Sequence, residues 1–469
     1  MSRARDRPGG SPAPPGHYDV GVRVPGPRVV LAAGLTLLAL AAVGVLAVER
    51  SHHRAAQPPP APPSGPQVSA VGPYSATVTW HTDTPTQETV AWGPTGIRPL
   101  LWAQDAAPTT DHAVTLDGLA SSTPYAVRVD GTVLRFTSAV APTAASAAVR
   151  DGAMRVNGGA FFPFVTWEEC PDRWQPELAQ GIDLFAGNPC TGLSSLLTAV
   201  EGHGLAAGTS DDTPGTTGAG LVGWFYPDEA DGRGLTAESL PAPGGAGLRF
   251  LTLTSHFYSG AAPLPAGRAM YPGLLSKADV VGFDLYPLQE LCRPELIPDV
   301  FDAQQELVAL APGKPTFQWI EVREMKCPDP AAAVTQQTIA VESWLAIAGG
   351  AHGLGFFPPD WGTAVGDTIH GIATTVRRLE PALLQPAVPV QVAPATPSVR
   401  ASARELGGAV YVIAVNAGTT PAPVTLTEPS LGDRSLYVLG TPQTVTAKDG
   451  ALAVTLPPLT AQIYVAPPA

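Results

Sequence analysis

Between residues 151 and 385, short apolar runs alternate with segments of helical character, and this alternation restricts the fold more than any other feature of the chain. Eight runs read as strands: 162–167, 182–186, 205–208, 221–226, 248–256, 280–286, 316–321 and 353–357. The spacing predicts helices between several of them. Asp329-Pro330 offers an N-cap followed by proline, Val334, Val341, Trp344 and Leu345 give an apolar face, and Gly349-Gly350 closes the segment. Eight strands with helical connections over roughly 235 residues predict an α/β fold, the (β/α)8 or TIM barrel, for which about 250 residues is typical. Thr209 to Gly220 shows no helical pattern, so the third helix is expected to be missing.

At 469 residues the chain is too long for one domain of roughly 100–200 residues. Residues 1–28 are polar, Arg-rich and broken by Pro and Gly, and read as a disordered tail. Val29 to Val48 is an unbroken apolar run, long enough for one transmembrane helix of about 20 residues. Arg23 and Arg28 precede it, which orients the tail to the cytoplasm and the remainder to the outside. The competing reading is a cleaved signal peptide, whose apolar core is usually about 7–15 residues; both place the rest of the chain outside the cytoplasmic membrane. Residues 49–66 end in a proline-rich stretch, a stiff spacer.

Residues 67–138 carry short alternating runs such as Ala76-Thr77-Val78-Thr79-Trp80, separated by turn residues, and predict a β-sandwich. The Trp80 strand, Gly118-Leu119 and Tyr125 resemble a fibronectin type III domain, which implies a spacer or a weak binding module. Similar domains precede the catalytic domain of purple acid phosphatases, but no Asp/His metal-binding blocks of that kind follow here. Residues 388–469 predict a second, C-terminal β-sandwich, with strands at 409–416, 424–426, 435–439, 452–456 and 462–465.

The net charge of −13 argues against nucleic-acid binding, which needs basic surface. The four cysteines form no CxxC or Cys/His zinc spacing, and an even number in an exported domain reads as disulfides. On the expected barrel, Cys170 and Cys190 follow strands one and two, and Cys292 and Cys327 follow strands six and seven. Neighbouring loops on one face predict the pairs Cys170–Cys190 and Cys292–Cys327. No metal or cofactor is called for.

Two strands end in acids. Leu221-Val222-Gly223-Trp224-Phe225-Tyr226 runs into Pro227-Asp228-Glu229, and Thr316-Phe317-Gln318-Trp319-Ile320 into Glu321. Catalytic groups of such barrels sit at the C-terminal ends of strands. A glutamate after strand four and another ending strand seven resemble the large glycoside hydrolase clan that places its acid/base and nucleophile there. The Val156-Asn157-Gly158 turn with Phe161-Phe162 is also similar to the entry of many glycoside hydrolase barrels. The resemblance implies a retaining glycosidase, Glu229 as acid/base and Glu321 as nucleophile, facing each other across the barrel mouth about 5–5.5 Å apart. One position departs from the clan, which usually has asparagine before the acid/base; Asp228 stands there, and an ionised aspartate only accepts hydrogen bonds. Trp167, Glu168, His256, Asp284, Tyr286, Trp319 and Trp361 lie at other strand ends and are expected to line the cleft against a carbohydrate. The alternative reading is a non-catalytic cell-surface protein that binds or scaffolds glycans on a degenerate barrel.

Overall fold

The computed structural model describes residues 65–469. The expected tail (1–28), membrane span (29–48) and most of the linker (49–66) lie outside the described residues. Among the described residues no helix is long and apolar enough to cross a membrane.

The expected eight strands close into a parallel barrel. They are β1 (Phe164–Trp167), β2 (Leu184–Ala186), β3 (Leu205–Gly208), β4 (Leu221–Phe225), β5 (Leu248–Thr254), β6 (Val280–Asp284), β7 (Thr316–Glu321) and β8 (Leu354–Phe357). β8 pairs with both β7 and β1, which closes the cylinder. The helices are α1 (Pro171–Ala179), α2 (Leu193–Val200), α3 (Tyr271–Leu275), α4 (Asp299–Leu310), α5 (Gln336–Gly349) and α6 (Thr363–Leu383). The third connection lacks a helix, as the polar, Gly-rich sequence implied. The fourth, from Tyr226 to Gly247, lacks one too and is built of turns. Its buried Asp231 accepts hydrogen bonds from Thr254 N (2.9 Å), Thr254 Oγ1 (2.6 Å) and Tyr271 Oη (3.0 Å), and so holds the segment without a helical backbone.

The start of α5 differs from expectation. Asp329 caps a separate 3₁₀ turn at Pro330–Ala332, and α5 begins at Thr335, whose side chain accepts from Thr338 N in a reciprocal capping box. The left-handed Gly350 ends the helix as expected.

The barrel interior is packed. Val165, Leu184, Val222, Leu248, Val280 and Phe317 point inward with Met154 and Val156, which enter from a hairpin below. That hairpin turns on Asn157 and Gly158, both at positive φ (51° and 87°), the pair that a tight turn of this kind demands. Gly355 makes room for the largest inward ring: a side-chain carbon there would overlap the indole of Trp319.

Two β-sandwiches flank the barrel. The first pairs a three-stranded sheet (Gln67–Ser69, Ser75–Thr86, Thr109–Asp117) with a four-stranded one (Leu101–Gln104, Thr89–Pro94, Pro124–Val129, Thr132–Thr137). The second pairs a six-stranded sheet with a three-stranded one between Val388 and Ala466. Its strand Val399–Leu406 went unanticipated because Arg400 and Arg404 interrupt its apolar pattern. Both arginines face the barrel instead of water. Arg400 forms an ion pair with Asp302 of α4, 2.6 Å away, and the fully buried Arg404 donates to the Ile347 carbonyl at the end of α5 (2.7 Å).

Candidate active site

At the C-terminal end of the barrel lies a cavity of about 300 Å³, lined by Trp167, Asp228, Glu229, Asp284, Tyr286, Glu290, Trp319, Met325, Lys326 and Phe357. Its walls are aromatic. Trp167 meets Trp319 edge-on at 5.8 Å and Phe225 at 5.4 Å, and Tyr286 stacks on Phe357 at 6.0 Å. Trp319 Nε1 donates to Thr252 Oγ1 (3.2 Å), which fixes the ring at the base of the cavity.

Four of the lining side chains are carboxyls and one is a lysine. Lys326 sits at the rim, 3.8 Å from Glu290. The interior acids are crowded. Asp284, at the end of β6, has its carboxyl held well above the usual range by burial, by the charges of Glu229 and Asp228, and by a carboxyl–carboxyl hydrogen bond with Glu229. Asp284 therefore keeps its proton next to Glu229, because a buried carboxyl beside a like charge resists ionisation. Asp228 is pushed up to about 6 by burial and then by Glu229, partly offset by Arg233. Glu168 is raised by burial and by Asp211, Asp212 and Asp228, though it does not line the cavity itself. Glu229 and Glu168 both hold left-handed backbone (φ 47° and 51°), a conformation disfavoured for residues with a side chain and found where loops are over-determined.

Of the expected cleft residues, Trp167, Asp228, Glu229, Asp284, Tyr286 and Trp319 are thus brought together. Glu321 is not. Strand parity aims it inward after Phe317 and Trp319, but its carboxylate is wholly buried and turned to the loop that follows β6. There it accepts from the backbone N–H of Leu288 (2.8 Å) and Gln289 (2.7 Å). Tyr286 and Phe357 line the cavity at this point in its place. Glu342 of α5 faces Glu321 as well. Burial and the Glu321 charge raise the Glu342 carboxyl well above its ordinary value, so it keeps its proton, while burial pushes Glu321 to about 7 against the two amide bonds. The expected confrontation of Glu229 and Glu321 across the mouth is therefore corrected: the acid that meets Glu229 is Asp284.

Two further expectations are corrected. His256 lies in a 3₁₀ turn outside the cavity, its Nδ1 donating to the Ala262 carbonyl (2.7 Å). Trp361 packs behind the barrel, its Nε1 donating to Gln180 Oε1 (2.7 Å), and Phe357 supplies the aromatic ring of β8 instead. Glu290, Met325, Lys326 and Phe357 were not foreseen. Phe357 was legible as the last apolar residue of β8; the other three sit on loops whose path no strand pattern dictates.

The disulfides are Cys170–Cys190 and Cys292–Cys327, with Cα separations of 5.6 and 5.4 Å, each joining loops of adjacent strands on the cavity side as expected. Among the described residues no group of three His, Cys, Asp or Glu side chains is arranged to hold a metal ion.

No protein-family model matches the chain, and no curated protein matches it in sequence. Among solved structures it is similar to a GH30 endoxylanase from Clostridium papyrosolvens, at 11% identity over 69% of this chain and 99% of that one, with a TM-score of 0.40. It is also similar to a putative alpha-galactosidase from Bacteroides fragilis (10% identity, 86% of this chain and 98% of that one, TM-score 0.42). A third is a beta-glucuronidase from Ruminococcus gnavus (7% identity, 62% and 60%, TM-score 0.32). The closed eight-stranded parallel barrel, with its cavity at the C-terminal strand ends, is the (β/α)8 fold.

Proposed function

We propose that the chain is a glycoside hydrolase whose proton donor is the Glu229–Asp284 pair. One observation carries this reading: Asp284 and Glu229 line a small, aromatic-walled cavity at the C-terminal end of the barrel, where burial and the Glu229 charge keep a proton on Asp284. A glycosidic oxygen entering between them receives that proton. The Glu229 carboxyl faces the anomeric carbon, and Asp228 adds negative charge where the oxocarbenium-like transition state is positive. Aromatic rings offer flat faces to the C–H surfaces of a sugar. Cleavage with retention follows if Glu229 attacks the anomeric carbon while Asp284 gives its proton to the leaving oxygen, which requires the two to part to about 5–5.5 Å around the substrate. Glu321 then acts at one remove, by holding the turn at Leu288 and Gln289 that carries Tyr286 and Glu290.

The withdrawal of Glu321 favours a second reading, a barrel that binds glycan without cleaving it. Screening the protein on a glycoside panel separates the two. Turnover that is lost in both Glu229→Gln and Asp284→Asn supports the enzyme. Binding without turnover in the parent supports the second reading, and turnover unchanged by either substitution removes the proposed roles.

The same proposal places the barrel outside the cell, tethered by Val29 to Val48. The apolar run and the two disulfides support it, since disulfides persist in oxidising compartments. Protease digestion of intact cells tests it: the barrel should be shaved from the surface, and full protection would rule the arrangement out. The strand order of the first sandwich, and the Tyr125 hydroxyl that accepts from Ala120 N (2.7 Å), support its fibronectin type III-like reading.

A further inference from the structure

The four-stranded sheet of the first sandwich has an outer face that meets the C-terminal sandwich at one edge, where Trp102 packs against Tyr411. It borders a groove of about 730 Å³, closed on the far side by Tyr437 and Pro467 of the C-terminal sandwich. Strand register fixes what this face displays. Trp102 lies opposite Ala91, Ala91 opposite Arg128, Arg128 opposite Val133, and Ala126 opposite Arg135. Opposed residues share a face, so Arg128 and Arg135 stand side by side over small residues. The four strands contain no Asp or Glu at all. A third guanidinium comes from the loop before Leu101: the central carbon of the Arg98 guanidinium lies over the ring of Tyr437, 4.0 Å from its centroid. A cation–π contact of this kind leaves the N–H groups for other partners.

None of the three arginines is paired with a carboxylate among the described residues, whereas Arg155, Arg173, Arg293, Arg377 and Arg400 each are. The chain has 40 acidic side chains against 27 basic ones, yet the groove is lined by three arginines and no carboxylate. Residues 1–64 do not suit the groove, because they carry seven Arg and only three acids. The barrel cavity, with its four carboxyls, repels an anion; the groove attracts one.

We propose that this groove docks an acidic polysaccharide, a chain whose sugars carry carboxylates. Each guanidinium presents a fork that matches a carboxylate, and the exposed Ile97 and Val133 give the sugar rings apolar contact. The site is independent of the glycosidase reading and stands if that reading fails.

Native gel electrophoresis of the full-length protein through polygalacturonate, dextran or plain gel tests the proposal. Polygalacturonate is expected to retard the protein and dextran to leave it unaffected. The Arg128→Gln/Arg135→Gln variant, with an unchanged melting temperature, should bind about tenfold more weakly. Arg98→Gln serves the same purpose if the double variant does not fold. Equal retardation by dextran, or polygalacturonate binding that survives the substitutions, overturns the proposal. So does retention by phosphatidylglycerol vesicles without retention by polygalacturonate, or a dimer in solution that the substitutions dissociate.

Discussion

Asp284 at the end of β6 shares a hydrogen bond with Glu229, which follows β4, and the two reach one another over the mouth of β5. Asp284 holds its proton because burial, and then the Glu229 charge, penalise its ionisation. The sign of the pH response follows. Asp284 is raised above its ordinary value, so its protonated form is present at low pH and is lost as pH rises through the raised value. In Glu229→Gln the neighbouring charge is gone and Asp284 should ionise at lower pH. NMR titration of the Asp284 carboxyl is expected to show a fall of at least one unit; an unchanged midpoint would mean that the two side chains do not interact.

Glu321 and Glu342 form a second acid pair, and its two members should respond differently to the same conservative change. Glu321 accepts from two backbone N–H groups, so Glu321→Gln sets an amide N–H₂ against one of them. Leaving a buried donor unpaired costs about 1–3 kcal/mol. Glu342 already carries its proton, so Glu342→Gln keeps a donor toward Glu321 and should change stability at pH 7 by less than about 0.5 kcal/mol. Urea denaturation of both variants checks the asymmetry, and equal losses would contradict the protonation assigned here.

The barrel was legible because strand alternation and turn chemistry are local. Asn157-Gly158, the cysteine pairs and all eight strands follow from patterns of a few residues, and so does the placement of Glu229, Asp284 and Trp319 at strand ends. What failed was the last half-turn of direction. Parity aimed Glu321 inward, but two amides from a loop more than thirty residues away compete for its carboxylate and win. Trp361 was lost in the same way, to a single hydrogen bond with Gln180. Val399–Leu406 escaped notice because Arg404 is buried against helix carbonyls, so its charge marked an interface while reading as surface.

That interface gives a prediction of its own. Arg404 donates to the Ile347 carbonyl, to Ser402 Oγ (2.9 Å) and to the Ala403 carbonyl (3.1 Å), and burial lowers its pKa to about 9. Its charge lies at the C-terminal end of α5, where the helix dipole favours a cation. Arg404→Met removes these donors; the Ile347 carbonyl keeps the Gly350 N–H (3.1 Å), so the cost is that of the lost charged hydrogen bonds, about 1–3 kcal/mol. Thermal denaturation is expected to show the loss, together with faster hydrogen exchange in the Val399–Leu406 strand. A variant as stable as the parent would show that the contact is dispensable.

Asp228 occupies the place where the resembled clan has asparagine, and its environment sets what the exchange does. Burial and Glu229 raise its carboxyl from 3.8 to about 6. A carboxyl raised on folding is protonated more readily in the native state than in the unfolded one. Its contribution is therefore most favourable below about pH 4 and is lost as pH rises through about 6. Asp228→Asn removes that penalty and should stabilise the protein by on the order of 1–3 kcal/mol at pH 8, with no gain at pH 4. The same substitution withdraws negative charge from beside Glu229 and Asp284. Asp284 should then ionise at lower pH, and the alkaline limb of any hydrolytic activity should move down with it. Stability measured at the two pH values, with the activity profile on the same samples, tests both consequences. A variant less stable than the parent at pH 8 would show that Asp228 makes contacts in its ionised form that outweigh its burial.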